Sequence, residues 1–366
     1  MITGIVPAEI RAEADAIRAT LAESLPSARA AAEALRAAGT RRIHVIGNGT
    51  SYHSSLAAAT LWRRHASADD PTVIALNAGE FRTYLPPLGA GDAVIGISAS
   101  GEFRDVLAVV DELRGRVPTV AIVHVPGSTL DRTADHVVRS AGGPSAVPVM
   151  TKTFVATLVA THLVLGELLG GARAAAIRAA LAAAADDVAA AVAAAAPRVE
   201  SLAWDLVDRE HVFVVGSGNA ATAAYEAALK LKEMALVHAE GAESWEMASG
   251  AATIVGPDSI VVALAPAGPG RTATLDVARH ALGWGARIVE VGPGDAPAIA
   301  GADHLPLPET ATEDLAPLTA VAPVALLAFV LARRRGHDPD RPGWVERYHS
   351  QGLRHIVGVA DAATED

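Results

Sequence analysis

Apolar and polar positions follow two different periods along this chain, and the changes of period mark out its elements. From about Pro7 to Ala38, acidic, basic and alanine-rich positions alternate as in an amphipathic helix or helix pair that stops at Gly39. The period then shortens. Arg42–Ile46 is a β-rich run, followed by the turn Gly47-Asn48-Gly49-Thr50-Ser51 and a helical stretch to about His65. Thr72–Leu76, Asp92–Ile97 and Thr119–Val123 read as further strands, with helices around Ala78–Tyr84 and Glu102–Arg114 and a closing strand at Asp135–Val138. Strands alternating with helices imply right-handed crossovers and a parallel sheet covered on both faces.

From Thr153 to about Val207 the pattern is helical, first Phe154–Leu169 and then the alanine-dominated Ala172–Ala196, broken by Pro197. Alanine favours helix, so this stretch is a packing layer and not a flexible linker. After it the first pattern returns. Val212–Gly218 echoes Ile43–Gly49, Asp258–Ala263 echoes Asp92–Ile97, and Ala302–His304 echoes Ala134–His136. The offset, about 167 residues, is too long for a solenoid repeat and suits a duplicated domain. A C-terminal helix is expected over Ala311–Arg335, with a tail beyond it. The apolar run Leu315–Ala332 approaches membrane-spanning length, but Pro317 and Pro323 interrupt it and it reads as a buried packing helix.

With 366 residues, 51 % hydrophobic and 19 % charged, the chain can bury two cores. Its net charge of −11 disfavours a broad nucleic-acid surface, while a small anion remains within reach of a few amides and hydroxyls. There is no cysteine, which excludes thiol nucleophiles, thiolate metal sites and disulfides. Met1–Ile10 carries no secretion-signal pattern, and a cytoplasmic location is expected. Neither a membrane nor a nucleic-acid partner is expected, and no cofactor or metal.

Two features carry candidate chemistry. Glu226, Lys230 and Glu233 fall at i, i+4 and i+7 of one helical segment, so two carboxylates and an ammonium share a face. On spacing alone that is the pattern of a solvated ladder of ion pairs; it is also the pattern of a catalytic cluster. The second feature is a pair of loops, Gly47–Ser51 and Ser98-Ala99-Ser100-Gly101-Glu102, each placing glycine and hydroxyls at a helix start beyond a strand's carboxyl end. Such residues are ordinary caps. Both at one edge of one sheet favour a phosphate or sugar site. The second half has Leu264-Ala265-Pro266-Ala267 instead, so the anion site is expected in the first half alone, with Gly216-Ser217-Gly218 as scaffold for the acidic helix. Neither glycine loop spells the six-residue dinucleotide fingerprint, and no acid closes the strand at Leu76.

Six ordered motifs together resemble the sugar isomerase (SIS) family, above all the isomerase half of glucosamine-6-phosphate synthase and the stand-alone sugar-phosphate deaminases and isomerases. They run from Gly49-Thr50-Ser51-Tyr52 and Glu80-Phe81-Arg82 through Ser98–Glu102 and Thr151-Lys152-Thr153-Phe154 to Ala228–Glu233 with His238-Ala239-Glu240, and end at Asp338–Pro342. The resemblance implies two tandem doubly wound, flavodoxin-like α/β domains. The organisation expected is a helical segment 1–40, a first SIS domain 41–170, a helical connector 171–200, a second SIS domain 201–335 and a tail 336–366. It also implies that Gly49, Thr50, Ser51, Ser98, Ser100 and Gly101 hold a sugar phosphate, with Thr151, Lys152 and Arg347 joining the substrate site. Glu233 would move a proton between C1 and C2, with Lys230 and Glu226 orienting substrate and tuning that base. Related enzymes are dimers, so a homodimer is expected.

The departures from that pattern shape the expectation. The family's glutamine between the two serines is Ala99, and the threonine two residues after Gly101 is Phe103, which removes two hydrogen-bonding side chains. The synthase's ring-opening histidine falls at Ser249, so ring opening needs another group, with His238, Glu246, His53 and His349 as candidates, or an open-chain substrate. The lysine that forms a Schiff base falls at Arg347, whose guanidinium can clamp an anion but is no amine nucleophile. Glutamine-dependent amination is not expected, because no glutaminase-like segment precedes Pro7 and no cysteine exists to serve it. The expected activity is aldose–ketose isomerisation of a sugar phosphate, or glucosamine-6-phosphate deamination. Alternatives are deglycation of a phosphorylated ketosamine and non-catalytic sugar-phosphate binding.

Overall fold

A computed structural model describes residues 2–345. The chain divides into two compact units. One gathers residues 16–144 and 153–179, with 343–345 of the described C-terminal stretch; the other gathers 2–15, 145–152 and 180–342. The N-terminal helices are α1 (Ile5–Arg11) and α2 (Glu13–Ala37), and they part at Ala12, so the segment is a helix pair. In the first unit, β1 (Arg42–Gly47), α3 (Thr50–His65), β2 (Thr72–Asn77), α4 (Ala78–Thr83), β3 (Asp92–Ser98), α5 (Arg104–Leu113), β4 (Thr119–Val123), α6 (Thr129–Thr133) and β5 (His136–Arg139) follow in order. The long helices α7 (Lys152–Leu169) and α8 (Gly171–Ala195), then the short α9 (Val199–Leu206), lead to the second sheet. There the order is β6 (His211–Gly216), α10 (Asn219–Ala235), β7 (His238–Glu243), α11 (Ser244–Ser249), β8 (Ser259–Leu264), α12 (Arg271–Gly283), β9 (Arg287–Pro293) and β10 (Asp303–Leu307).

Every strand pairing is parallel. The first sheet runs β2-β1-β3-β4-β5 and the second β7-β6-β8-β9-β10, the same doubly wound order twice. Strands covered on both faces must be apolar throughout, and all seven residues of β3 and all six of β8 are buried. Ile46, Phe81, Val94, Val106 and Val110 build the first core on one face of its sheet. Phe213, Val215, Val261, Leu275 and Ile288 build the matching core of the second.

Two strands go beyond those expected, β7 and β9. β7 is an edge strand made of His-Ala-Glu-Gly-Ala-Glu, which lacks β-branched residues and keeps only Ala239 and Ala242 buried. The single helix expected over Ala311–Arg335 is instead a 3-10 turn at Glu313–Leu315, α13 (Ala316–Thr319) and α14 (Val321–Arg334). The cause is the prolines. Pro317 and Pro323 each fall in the first turn of a helical segment, where a missing N–H costs nothing, so the chain restarts before each. Lys152–Leu169 and Glu313–Arg334 are long and apolar enough to cross a membrane, and the fold buries 89 % and 100 % of the most apolar eighteen residues of each.

Candidate active site

A doubly wound sheet changes winding direction at one place, and ligands bind there beyond the strands' carboxyl ends. In the first unit that place lies between β1 and β3, which are paired neighbours in register Ile46 to Gly96. Their outgoing loops are the two hydroxyl loops, so the topology sets Gly49, Thr50 and Ser51 beside Ser98, Ser100 and Gly101. Capping does not account for them. The N-cap of α3 is Gly49, which has no side chain to accept a bond, and that of α5 is Phe103. Gly49 has φ 52°, a left-handed conformation that suits glycine.

In the second loop, the Ser98 hydroxyl accepts from the Gly101 amide at 3.1 Å and that of Ser100 from the Glu102 amide at 3.3 Å. A third loop, after β4, supports it. His124 and Val125 donate their amides to the Ala99 carbonyl at 2.9 and 3.1 Å, Leu130 donates to the Gly101 carbonyl at 3.0 Å, and Thr129 donates to Glu102 Oε1 at 2.7 Å. Ser128 packs so closely on Gly101 that any side chain there would strike it, and its buried hydroxyl has no partner among the described residues. Ser128 was not among the residues expected from sequence, although a signal was there: Pro126-Gly127-Ser128-Thr129 is a glycine turn, with φ 73° at Gly127, and two hydroxyls beyond the carboxyl end of β4.

The acidic trio lies in the other unit, on α10. The sequence pattern allowed a solvated ladder, and the structure corrects that reading. Glu226 is 0 % and Lys230 1 % exposed, because this face of the helix packs inward with Ala227, Leu231 and Met234. Lys230 Nζ sits 3.1 Å from Glu226 Oε1 and donates to Glu233 Oε2 at 2.7 Å. Glu233 alone of the three reaches solvent, with 23 % of its side chain exposed. Burial by itself would pull the Lys230 ammonium down, but Glu226 and Glu233 outweigh it and hold its pKa above the ordinary lysine range.

The N-terminal helices add two carboxylates to this unit. Glu13, at the start of α2, is 3 % exposed, with Oε2 unpartnered among the described residues. Burial raises its pKa well above the ordinary range; Lys230 opposes that shift while Glu226 and Glu9 add to it. Glu9 accepts from the Ser145 hydroxyl at 2.9 Å and the Ala146 amide at 2.8 Å, and stands 3.7 Å from Lys152 Nζ. A signal for both was present, since Glu9 and Glu13 fall on the stripe of Val6, Ile10 and Ile17, all of them 0 % exposed.

The remaining site residues are placed as follows. Thr151 and Lys152 belong to the unit that holds α10, Thr151 buried with its hydroxyl unpartnered among the described residues and Lys152 engaged by Glu9. Arg347 and His349 lie outside the described residues. Ser249 donates to the Trp245 carbonyl of its own helix at 2.8 Å. Glu246 and Ser249 sit on α11, beyond the carboxyl end of β7, whereas Glu233 is in the last turns of a helix running back toward the strands' amino ends. About six strand residues, ~20 Å, separate those ends, so neither residue meets Glu233 within one unit. His238 opens β7 at the amino end and is exposed; His53 is half-buried in the first turn of α3. Among the described residues no group of three or more acids or histidines is gathered as metal ligands.

The architecture is that of a duplicated sugar-isomerase fold, and the sequence agrees. A family model described as SIS domain matches residues 38–165 and 205–332, and the chain belongs to that family. Among curated proteins it is similar to the glutamine--fructose-6-phosphate aminotransferase [isomerizing] of Gloeobacter violaceus, 33 % identical over 314 residues, which are 83 % of this chain and 51 % of the relative. The chain thus spans about half the length of the curated relatives it matches. Among solved structures, the C-terminal domain of glucosamine-fructose-6-phosphate aminotransferase from Francisella tularensis shares its fold at TM-score 0.80 and 23 % identity, covering 93 % of this chain and 99 % of that one. Glucosamine-6-phosphate deaminase from Thermotoga maritima does so at TM-score 0.70 and 19 % identity, covering 93 % and 98 %.

Proposed function

We propose that this protein interconverts the aldose and ketose forms of a sugar phosphate, and that in its amino-sugar version the reaction is coupled to loss or uptake of ammonia, as in a glucosamine-6-phosphate deaminase. The observation that carries the reading is the trio on α10, a buried ammonium fixed by a buried carboxylate and presenting one partly exposed carboxylate. Aldose–ketose interconversion moves one proton between adjacent carbons through an enediol, which one positioned carboxylate can take from C2 and return at C1. In this scheme Glu233 is that carboxylate, Lys230 fixes its geometry, and Glu226 fixes Lys230. The hydroxyls of Thr50, Ser51, Ser98 and Ser100 and the amides around Gly49 and Gly101 hold the phosphate. The names of the curated relative and of the deaminase support the choice of a phosphorylated hexose. A cytoplasmic homodimer, with Thr151, Lys152 and Arg347 at the substrate, belongs to the same proposal.

The test is solvent-deuterium incorporation at the substrate carbon from fructose-6-phosphate plus ammonia, glucosamine-6-phosphate and a ketosamine phosphate, each with wild type and Glu233→Gln. The variant should bind the substrate and lose the exchange; exchange at the wild-type rate removes Glu233 from the mechanism. A second reading, sugar-phosphate binding without turnover, draws on Ser249, whose hydroxyl is spent on its own helix, and on Ala99. Thermal stabilisation by all three compounds without exchange by any of them would select it.

A further inference from the structure

The second unit repeats the crevice of the first down to its backbone. Gly218 before α10 has φ 57° and ψ −130°, against φ 52° and ψ −128° for Gly49 before α3. The second crevice lies between the paired strands β6 and β8, at the N-termini of α10 and α12. What differs is what stands in it. Apart from its chain neighbours, no described residue comes within 4 Å of a Cβ built on Gly49, whereas a Cβ on Gly218, Gly268 or Gly270 would run into the Glu313 side chain. Glu313 Oε2 accepts from the Gly270 amide, the N-cap of α12, at 2.6 Å. The backbone delivers this carboxylate. Glu313 donates its amide to the Ala267 carbonyl at 2.8 Å, Ala267 bridges Thr312, and Asn219 at the start of α10 donates to the Asp314 carbonyl at 2.6 Å.

An anion at two helix N-termini, ringed by glycines, is the setting in which phosphates are bound. We propose that the crevice of the second unit is an oxyanion cup that the chain fills with its own Glu313 carboxylate. The duplicated fold therefore holds two such cups, one closed from within, and the second takes a small carboxylate or phosphate only once Glu313 is removed. It is a separate place from the trio: Glu233 lies fourteen residues along α10 from Asn219, about 21 Å at helical rise.

Thermal unfolding of Glu313→Ala, with sodium formate or acetate replacing chloride at constant ionic strength, tests this without reference to catalysis. The variant should melt several degrees below wild type and recover saturably with either carboxylate, while wild type does not move. A folded Glu313→Ala that melts with wild type, or that responds to formate no more than to chloride, overturns the proposal. Should that variant not fold, the isosteric Glu313→Gln decides. It keeps the acceptor for Gly270 and loses the charge, so it should melt below wild type and ignore formate, and melting with wild type overturns the proposal.

Discussion

Lys230 and Glu233 meet at 2.7 Å across the boundary between core and solvent, the ammonium 1 % and the carboxylate 23 % exposed. An ammonium so deep is stable only because it is paired, and its inner partner Glu226, 3.1 Å away, is fully buried. Removing one member of such a pair strands the other. Lys230→Met should cost about 3–5 kcal/mol of folding stability, while Glu226→Gln combined with Lys230→Met should recover a substantial part, since a buried pair replaced on both sides is often neutral. Urea unfolding of the two single variants and the double variant checks this. A double variant no more stable than Lys230→Met would contradict it.

Glu13 gives the same cluster a pH dependence. Its folded pKa is raised above its ordinary 4.5 by burial, so between 4.5 and the folded value the native state holds a proton that the unfolded chain has released. Stability from this group is therefore full below 4.5 and is lost as pH rises through the folded pKa. Glu13→Gln should match wild type within about 0.5 kcal/mol at pH 4 and exceed it by a margin that grows toward neutrality. Stability curves over that range read the sign, and a variant less stable than wild type at pH 7 would refute it.

The fold was legible because its signals are local. The return of Gly216-Ser217-Gly218 after Gly47-Asn48-Gly49 announces the duplication, and φ angles of 57° and 52° show it was kept at the level of backbone shape. The hydroxyl loops were legible for the same reason. Burial of the trio was not, because an i, i+4, i+7 charge pattern looks the same on a solvated helix as on one packed inward. Nor was Glu313, one of three acids in the run 309–314 with nothing local to single it out; only the folded chain brings its carboxylate to glycines more than forty residues earlier. The pairing of Arg271 with Glu290, nineteen residues on, is likewise made by the fold and not by local spacing.

The hydroxyl loops predict a binding result that separates phosphate contact from sugar contact. Ser98→Ala removes a hydroxyl that can donate to phosphate while accepting from the Gly101 amide, and should weaken fructose-6-phosphate about five- to tenfold, the worth of one hydrogen bond of ~1–1.4 kcal/mol. Because the proposed contact is to phosphate, orthophosphate should weaken by the same factor. Calorimetric titration of both ligands decides, and a loss confined to the sugar phosphate would move Ser98 to the sugar end.

His162 gives the first unit a dependence on acid. It lies on α7, 1 % exposed, among Ala58, Trp62, Leu165 and Ile177, and neither ring nitrogen has a partner among the described residues. Burial, helped by the charge of His65, lowers its pKa from 6.5 to about 3. Between those values the unfolded chain binds a proton that the native state refuses, so stability is intact above 6.5 and falls as pH drops, by roughly 1.4 kcal/mol per unit at most. Replacing the ring by leucine removes the group that must charge on unfolding. His162→Leu should therefore unfold much as wild type does at pH 7.5 and outlast it at pH 4.5, the gap widening as acid is added. Parallel acid-unfolding curves for the two proteins would show that another group governs acid unfolding.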